Sequence, residues 1–233
     1  MVQAPRQSPS ADLPADDAVV DAALAVLDAK GWRRMTLADV AAHLRVPVAR
    51  IAAVAPTRPA LISLIFRDID RRMLAAVTEA DEIEPHRDRL FDLMMRRLEI
   101  LAPHRHAVAS LARDTVTDPA ALCALLAEGR RSAMLTLEAA GISTRGCWGE
   151  LRIQAFGALH ARVLRVWRDD DTADLSHTMK ALDKALDQAI RAEHFACALV
   201  PRGVRRSTRQ GHSDDSSPDD LASGGPVPGA GSA

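Results

Sequence analysis

The sequence contains no tyrosine, and aromatic residues make up only 3% of its 233 positions. Because 48% of the residues are nevertheless hydrophobic, the core must be built mainly from aliphatic side chains. No run of about 18 apolar residues occurs, and no charged segment followed by an apolar one opens the sequence. We therefore predict neither a membrane span nor a secretion signal, and one medium-sized domain or two small ones.

The sequence also has few cysteines and a net charge close to zero. The three cysteines, Cys123, Cys147 and Cys197, are odd in number and far apart, which favours free thiols over a disulfide framework. Free thiols are typical of a reducing compartment, so we expect a cytoplasmic protein. The formal net charge of −1 excludes a polybasic chain but is compatible with a local basic surface.

Patterns typical of β-strands are missing, since the sequence shows neither sustained alternation nor β-branched runs. Alanine, leucine, arginine and aspartate dominate instead, and proline, glycine and aspartate mark the joins between helical segments. We therefore predict an all-α protein. Its helices are expected to cover residues 15–30, 37–44, 48–54, 57–78, 85–101, 103–113, 119–140, 148–168 and 172–195.

Composition divides the chain into four parts. Residues 1–14 form a polar, proline-bearing arm, and residues 199–233 are rich in proline, glycine, serine and aspartate. Both are predicted to be disordered, because they hold too few apolar side chains to form a core. Between them, residues 15–56 form a three-helix head and residues 57–198 form a larger helical body.

Two short helical patterns in the head, residues 37–44 and 48–54, flank a tight turn and match helix-turn-helix geometry. Thr36 with Asp39 three residues later predicts a capped start for the first of them. Pro47 predicts the start of the second.

The head is also locally basic. From Gly31 to Ala60 the sequence has five arginines against one acidic residue, Asp39, which gives a local charge of +4. Such a face on a nearly neutral chain is the electrostatic footprint expected of a phosphate-binding surface. The alternative interpretation is a solvated surface on a small helical bundle.

An ordered series of residues runs through residues 18–74: a glycine–aromatic pair, a threonine, a hydrophobic–alanine pair, a turn, and a basic residue three before a leucine. The members of the series are Gly31, Trp32, Thr36, Val40, Ala41, Val46, Pro47, Ile51, Arg58 and Leu61. In order and spacing it resembles, without gaps, the N-terminal domain of TetR-family transcriptional regulators. The resemblance implies a TetR-like fold with a helix-turn-helix head and a body for ligand binding and dimerisation.

The resemblance also implies a ligand-responsive regulator, a repressor that leaves double-stranded DNA when a small apolar ligand binds. The residues expected at the DNA are Arg33, Arg34, Thr36, Arg45, Pro47, Val48, Ala49, Arg50, Ala53 and Arg58. Four of these are expected on the outer face of the second short helix. Among those four, only Arg50 has the donors for a bidentate contact to guanine.

Several positions depart from the family pattern. Arg45 stands where glycine is usual, which costs about 1 kcal/mol if the turn keeps a left-handed backbone. Ala52, Val54 and Ala55 replace a tyrosine, a histidine or tyrosine, and a phenylalanine. The first two positions commonly contact phosphates, and a lost hydrogen bond removes about 1 kcal/mol. The alternative function is therefore that of the ubiquinone-biosynthesis proteins, which share this fold and bind lipid and a partner protein instead of DNA.

The body carries apolar stripes at helical spacing, which suit either a bundle formed with a second copy or packing within one chain. The residues predicted for a homodimer interface are Ile153, Val163, Trp167, Leu175, Met179, Leu182 and Leu186. Flexible apolar side chains suggest walls for a ligand, although an ordinary core is the alternative. The predicted pocket residues are Phe91, Met94, Leu98, Met134, Leu137, Trp148, Phe156 and His160. For His160, a core or interface histidine with satisfied hydrogen bonds is the simpler interpretation.

Patterns typical of catalysis or metal binding are absent from the sequence. His104 and His106 lie two apart, but no Cys-x-x-Cys or His-x-x-x-His accompanies them, so surface histidines are expected. No glycine-rich phosphate loop or nucleophile elbow occurs. The acidic run Asp169–Asp171 falls at a helix join and is expected to be solvated. We therefore predict no metal, no cofactor and no enzymatic activity.

Overall fold

The computed structural model describes residues 15–75 and 84–199, with side chains as far as Glu193. The described residues form nine α-helices and two short 3-10 helices, and this part of the chain contains no strand. The prediction of an all-α protein is confirmed. The predicted arm, residues 1–14, and all but the first residue of the predicted tail lie outside the described residues.

The α-helices are α1 (Asp16–Lys30), α2 (Leu37–Leu44), α3 (Val48–Val54), α4 (Arg58–Ala75), α5 (His86–Leu101), α6 (Arg105–Asp114), α7 (Pro119–Ala139), α8 (Gly146–Arg168) and α9 (Ser176–Leu199). The 3-10 helices are η1 (Ala102–His104) and η2 (Thr115–Thr117). The described residues up to Ile190 form one compact unit, and a second unit begins at Arg191. Of the second unit the structure describes only the end of α9. The division at residue 56 into a head and a body stays a prediction.

The core of the first unit is largely aliphatic, as the composition predicts. In the head, Trp32, Met35 and Ile51 are completely buried, and they bring α1, α2 and α3 together. In the body, α4 packs against α5 and α7, and α7 packs against α8. Since α1 contacts both α4 and α6, the head lies directly on the body.

The last helix begins later than predicted, at Ser176 rather than at residue 172. The cause is Asp170, a buried carboxylate that accepts hydrogen bonds from the backbone and side chain of both Thr172 and Thr178. Burial raises the pKa of Asp170, but these hydrogen bonds outweigh it and hold the pKa well below its ordinary value. They keep residues 170–175 in a loop, where Leu175 adopts a positive φ of 53°.

No single helix in residues 15–75 and 84–199 is long and apolar enough to cross a membrane. The helices α3 and α4, which are bent by 60° relative to each other, are long and apolar enough only when taken together, by length and composition alone.

Candidate nucleic-acid interface

The start of α2 is fixed by a reciprocal capping arrangement, as predicted. The Thr36 Oγ1 accepts a hydrogen bond from the Asp39 N–H at 3.2 Å, and the Asp39 Oδ2 accepts one from the Thr36 N–H at 2.9 Å. The Lys30 ammonium lies 2.6 Å from the other oxygen of Asp39. Hydrogen bonds from Lys30 and Thr36 lower the pKa of Asp39. The one acidic residue of the basic segment is therefore compensated within the head.

The turn between α2 and α3 has the left-handed residue that the sequence suggests. Arg45 has φ 56° and ψ 39°, and its N–H donates to the carbonyls of Ala41 and Ala42. The next N–H, that of Val46, donates to the Ala41 carbonyl at 3.0 Å. This is the hydrogen-bond pattern of a glycine-type helix end, formed here with a residue that carries a Cβ.

Replacing Arg45 with glycine is expected to raise the free energy of unfolding by about 0.5–1 kcal/mol. The left-handed conformation costs a residue with a Cβ about 1–2 kcal/mol, and the greater freedom of glycine in the unfolded chain offsets part of this gain. Urea unfolding followed by circular dichroism measures the change. The control is Arg45→Ala, which removes the guanidinium and keeps the strain. If alanine stabilises as much as glycine, charge rather than backbone strain is the cause.

The second helix of the motif, α3, is held by its inner side and exposes its small residues. Ile51 and Ala55 are completely buried against the head core. On the other side Val48 is 49% exposed, and Ala49 and Ala53 are exposed too. Arg50 is partly buried. The predicted outer face of α3 thus offers methyl groups and one guanidinium.

The predicted phosphate-binding residues do not all lie in the same environment. Arg33, Arg34 and Arg45 are exposed, as are Thr36 and Pro47. Arg58 differs, because its guanidinium lies over the ring of Trp32, 4.6 Å from the ring centroid. Its Nη2 donates to the Trp32 carbonyl at 3.0 Å and lies 3.5 Å from the Asp118 carboxylate. Arg58 therefore sits in a contact between the head and the body.

Two further contacts fix the head on the body. The Trp32 N–H donates to the Ser110 Oγ at 2.8 Å, and that hydroxyl donates to Asp114 at 3.0 Å. Gly31, with φ 72°, passes so close that an added Cβ would lie 2.9 Å from the Ser110 Oγ. Residues on α6 therefore hold the loop between α1 and α2.

The second of these contacts joins α1 to the start of α6. The Asp28 carboxylate accepts a hydrogen bond from the Ala107 N–H at 2.5 Å, in the first turn of α6. The other oxygen of Asp28 lies 2.9 Å from the His104 Nδ1. A carboxylate at a helix N-terminus is a stabilising arrangement, because the free N–H groups there carry partial positive charge.

The predicted ligand-pocket residues lie in or beside the core of the body. Met94, Leu98, Leu137 and Phe156 are buried, and Phe91, Met134, Trp148 and His160 are partly buried. These positions fit an apolar core and an apolar pocket wall equally well. The predicted ligand contact stays a prediction.

A buried polar cluster in the body escaped the sequence analysis. Asp70 of α4 and Arg97 of α5 are each 2% exposed and form an ion pair. The Ser132 Oγ on α7 donates to Asp70 at 2.6 Å and accepts from Arg97 at 2.5 Å. Arg131 donates to the second oxygen of Asp70 at 2.9 Å. Burial lowers the pKa of Arg97, although the charge of Asp70 opposes the change.

A signal for this cluster was present in the sequence. Arg97 occupies a position on the apolar stripe of α5, four residues from both Leu93 and Leu101. Asp70 likewise lies four residues after Phe66 and three before Met73 on α4. Charged residues on two apolar stripes predict a buried pair, since an isolated buried charge is strongly unfavourable.

His160 lies close to this cluster and does not match its expected role. Its Nε2 is buried and has no hydrogen-bond partner among the described residues, which does not match a core histidine with satisfied hydrogen bonds. The interpretation as an interface histidine stays a prediction. Burial, together with the nearby charge of Arg97, lowers the pKa of His160 to about 3. The imidazole is therefore neutral at physiological pH.

The predicted dimer residues are covered mainly by the chain itself. Five of the seven are buried within the single chain: Ile153, Val163, Trp167, Leu182 and Leu186. Their burial is what the alternative, packing within one chain, predicts. Leu175 and Met179 are partly buried, and Leu175 precedes α9. Trp167 also lies under the Arg105 guanidinium, 4.8 Å from it. Dimerisation itself stays a prediction.

Residues with metal-binding side chains are dispersed. Within residues 15–75 and 84–193, no group of three or more histidine, cysteine, aspartate or glutamate side chains is placed to hold a metal ion. Cys123 and Cys147 are exposed free thiols. The side chain of Cys197 lies outside the described residues.

Comparison with solved structures identifies the fold. A TetR transcriptional regulator from Nitrosomonas europaea aligns with a TM-score of 0.63 and 22% identity, over 75% of this chain and 97% of that one. The chain has the TetR fold. Two Rhodococcus regulators share this TetR fold at TM-scores of 0.51 and 0.52, with 17% and 18% identity. These alignments cover 75% and 76% of this chain, and 93% and 97% of the Rhodococcus chains.

The similarity to known proteins is detected in the solved structures. No protein-family model matches the sequence, and no curated protein matches it. The resemblance noted in residues 18–74 thus extends, at the level of the fold, to about three-quarters of the chain.

Proposed function

We propose that this protein is a DNA-binding transcriptional regulator that contacts double-stranded DNA through α2 and α3. The carrying observation is the helix-turn-helix, in which the exposed outer face of α3 lies in a segment with five arginines. The single acidic residue of that segment, Asp39, is compensated by Lys30. A local positive surface on a chain of net charge −1 is suited to phosphate binding.

The proposed contacts divide into two classes. Phosphate contacts are assigned to Arg33, Arg34, Thr36, Arg45 and Arg58, which fix the position of the head on the duplex. Base contacts are assigned to the outer face of α3 and to Pro47 before it. There Arg50 can donate to guanine, and Val48, Ala49 and Ala53 can contact thymine methyl groups.

We further propose that two copies act together and that a small apolar ligand in the body releases the DNA. The two heads of such a dimer require DNA half-sites about one helical turn or more apart. A ligand that favours a different spacing of the heads lowers the affinity for DNA. We place the ligand site at the apolar side chains around Met94, Leu98 and Phe156, which are buried in the body. For the dimer, α8 offers Leu151, which is 53% exposed, with the exposed Ala155 and Ala158 beside it.

Fluorescence anisotropy with labelled DNA tests this function. The purified protein is titrated with a duplex from the region upstream of its own gene, and with a scrambled duplex of equal length, at two salt concentrations. We expect a preference for the upstream duplex that persists at the higher salt concentration. Equal binding to both duplexes that disappears at the higher salt concentration would show only a basic surface, without sequence recognition. No binding at all would favour the alternative, a lipid- or partner-binding protein.

The variant Arg50→Ala sharpens the test. We expect it to reduce the preference for the upstream duplex about tenfold or more, because a bidentate base contact contributes about 1–3 kcal/mol of discrimination. Arg34→Ala is the matched control, since a lost phosphate contact weakens binding to both duplexes equally. An unchanged preference in Arg50→Ala would contradict the assignment of base reading to α3.

A further inference from the structure

We infer that Asp118 is a positioning residue that holds Arg58 away from the DNA, so that a carboxylate of the body limits the DNA affinity of the head. The inference rests on the proposed function. It concerns the contact between the first residue of α4 and the residue before α7, which are 60 positions apart in the sequence.

Asp118 makes three kinds of contact at once. Its Oδ1 accepts a hydrogen bond from the Ala121 N–H at 3.1 Å and so caps α7. Its Oδ2 accepts one from the Trp32 Nε1 at 3.3 Å and lies 3.5 Å from the Arg58 Nη2. One carboxylate thus joins the start of α7, the core tryptophan of the head and an arginine assigned to the DNA.

The pairing of Arg58 with Asp118 is weak enough to be displaced. Both side chains are 32% exposed, and ion pairs between side chains this exposed contribute little to stability. The Arg58 Nε is buried and has no hydrogen-bond partner in the part of the chain that the structure describes, so one donor is unsatisfied there. A phosphate offers a charged, bidentate acceptor, which suits a guanidinium better.

Arg58 is close to the other proposed phosphate contacts. Its guanidinium donates to the carbonyl of Trp32, the residue directly before the exposed Arg33 and Arg34. The start of α4 therefore lies beside the loop after α1, at one edge of the head. An arginine released from Asp118 would add its charge to this same edge.

The position of Asp118 also connects this contact to the interior of the body. Asp118 caps α7, and the same helix carries Ser132, which hydrogen-bonds both members of the buried pair Asp70–Arg97. A displacement of α7 in the body would change the distance from Asp118 to Arg58. A small apolar ligand bound in the body can thus alter the number of phosphate contacts made beside the head.

Replacing Asp118 with asparagine tests the inference. Asparagine caps helices as well as aspartate does, so the start of α7 is kept while the negative charge is removed. DNA affinity is expected to rise about two- to fivefold at low salt, equally for the upstream and the scrambled duplex, because the competing ion pair is weak and the new contact is to phosphate. The slope of log affinity against log salt is expected to steepen by up to about 0.9, the value for one complete added phosphate contact.

A double-substitution cycle with Arg58→Gln separates this effect from the general loss of a negative charge. We expect no gain from Asp118→Asn when Arg58 is already glutamine. A gain that persists in Arg58→Gln would overturn the positioning role, as would an unchanged affinity of Asp118→Asn when the wild type binds DNA. If neither protein binds any duplex, the proposed function fails together with the inference. Asp118→Ser, which also keeps a cap, replaces Asp118→Asn if thermal unfolding shows that the latter is not folded.

Discussion

Replacing Arg97 with methionine is expected to lower the free energy of unfolding by about 3–5 kcal/mol. The substitution keeps an unbranched apolar side chain but leaves the Asp70 carboxylate, 2% exposed, without its buried partner. Arg131 still donates to Asp70 at 2.9 Å and is itself 33% exposed, so we expect a value near the lower end of this range. Urea unfolding at pH 7, followed by circular dichroism, measures the loss.

The double variant Asp70→Leu with Arg97→Met provides the control for this prediction. When both members of a buried ion pair are replaced by apolar side chains, the stability is often kept or increased. We therefore expect the double variant to recover most of the stability that the single variant loses. A double variant as unstable as Arg97→Met would show that packing, rather than an uncompensated charge, explains the loss.

Lowering the pH from 7 to 5 is expected to reduce the free energy of unfolding by about 2 kcal/mol through His160 alone. Its pKa is about 3 in the folded chain and about 6.5 in the unfolded chain. Below pH 6.5 the unfolded chain binds a proton that the folded chain does not bind until about pH 3. The contribution is therefore complete above pH 6.5 and is lost as the pH falls, by about 1.36 kcal/mol per pH unit.

Chemical unfolding of the wild type and of His160→Gln at pH 5, 6 and 7 measures this dependence. Glutamine keeps a polar side chain of similar size and does not titrate, so its curve should be nearly flat over this range. The exposed His106 provides the matched control, and His106→Gln should keep the wild-type slope. If His160→Gln shows the wild-type slope, the imidazole of His160 is not the group responsible.

The sequence predicts the head more accurately than the contacts between head and body. The bounds of α2 and α3 follow from signals within a few residues: the Thr36–Asp39 cap, and Pro47 at the start of α3. The left-handed turn at Arg45 also follows from its place in the local pattern. Such features depend on the backbone and on residues a few positions away in the sequence, so they can be predicted from local sequence patterns.

Features that need partners distant in sequence were missed. The start of α9 depends on Asp170, whose partner Thr178 lies eight residues away on the other side of the loop. The contact of Arg58 with Asp118 spans 60 residues, so the sequence suggests a phosphate contact and gives no sign of the competing carboxylate. The pair Asp70–Arg97 left a trace, as charges on apolar stripes, but periodicity alone does not show which two stripes face each other.

The contacts between α6 and the head limit the operator spacings that a dimer can bind. The head is fixed at Ala107, through Asp28, and at Ser110, through Trp32, which are successive points along one helix. A unit fixed at two points cannot swivel as a tethered unit does. In the proposed dimer, the angle between the two heads would then be set by the body. Each inserted base pair turns the second half-site by about 34–36° around the duplex axis, so an operator lengthened by even one or two base pairs should no longer fit.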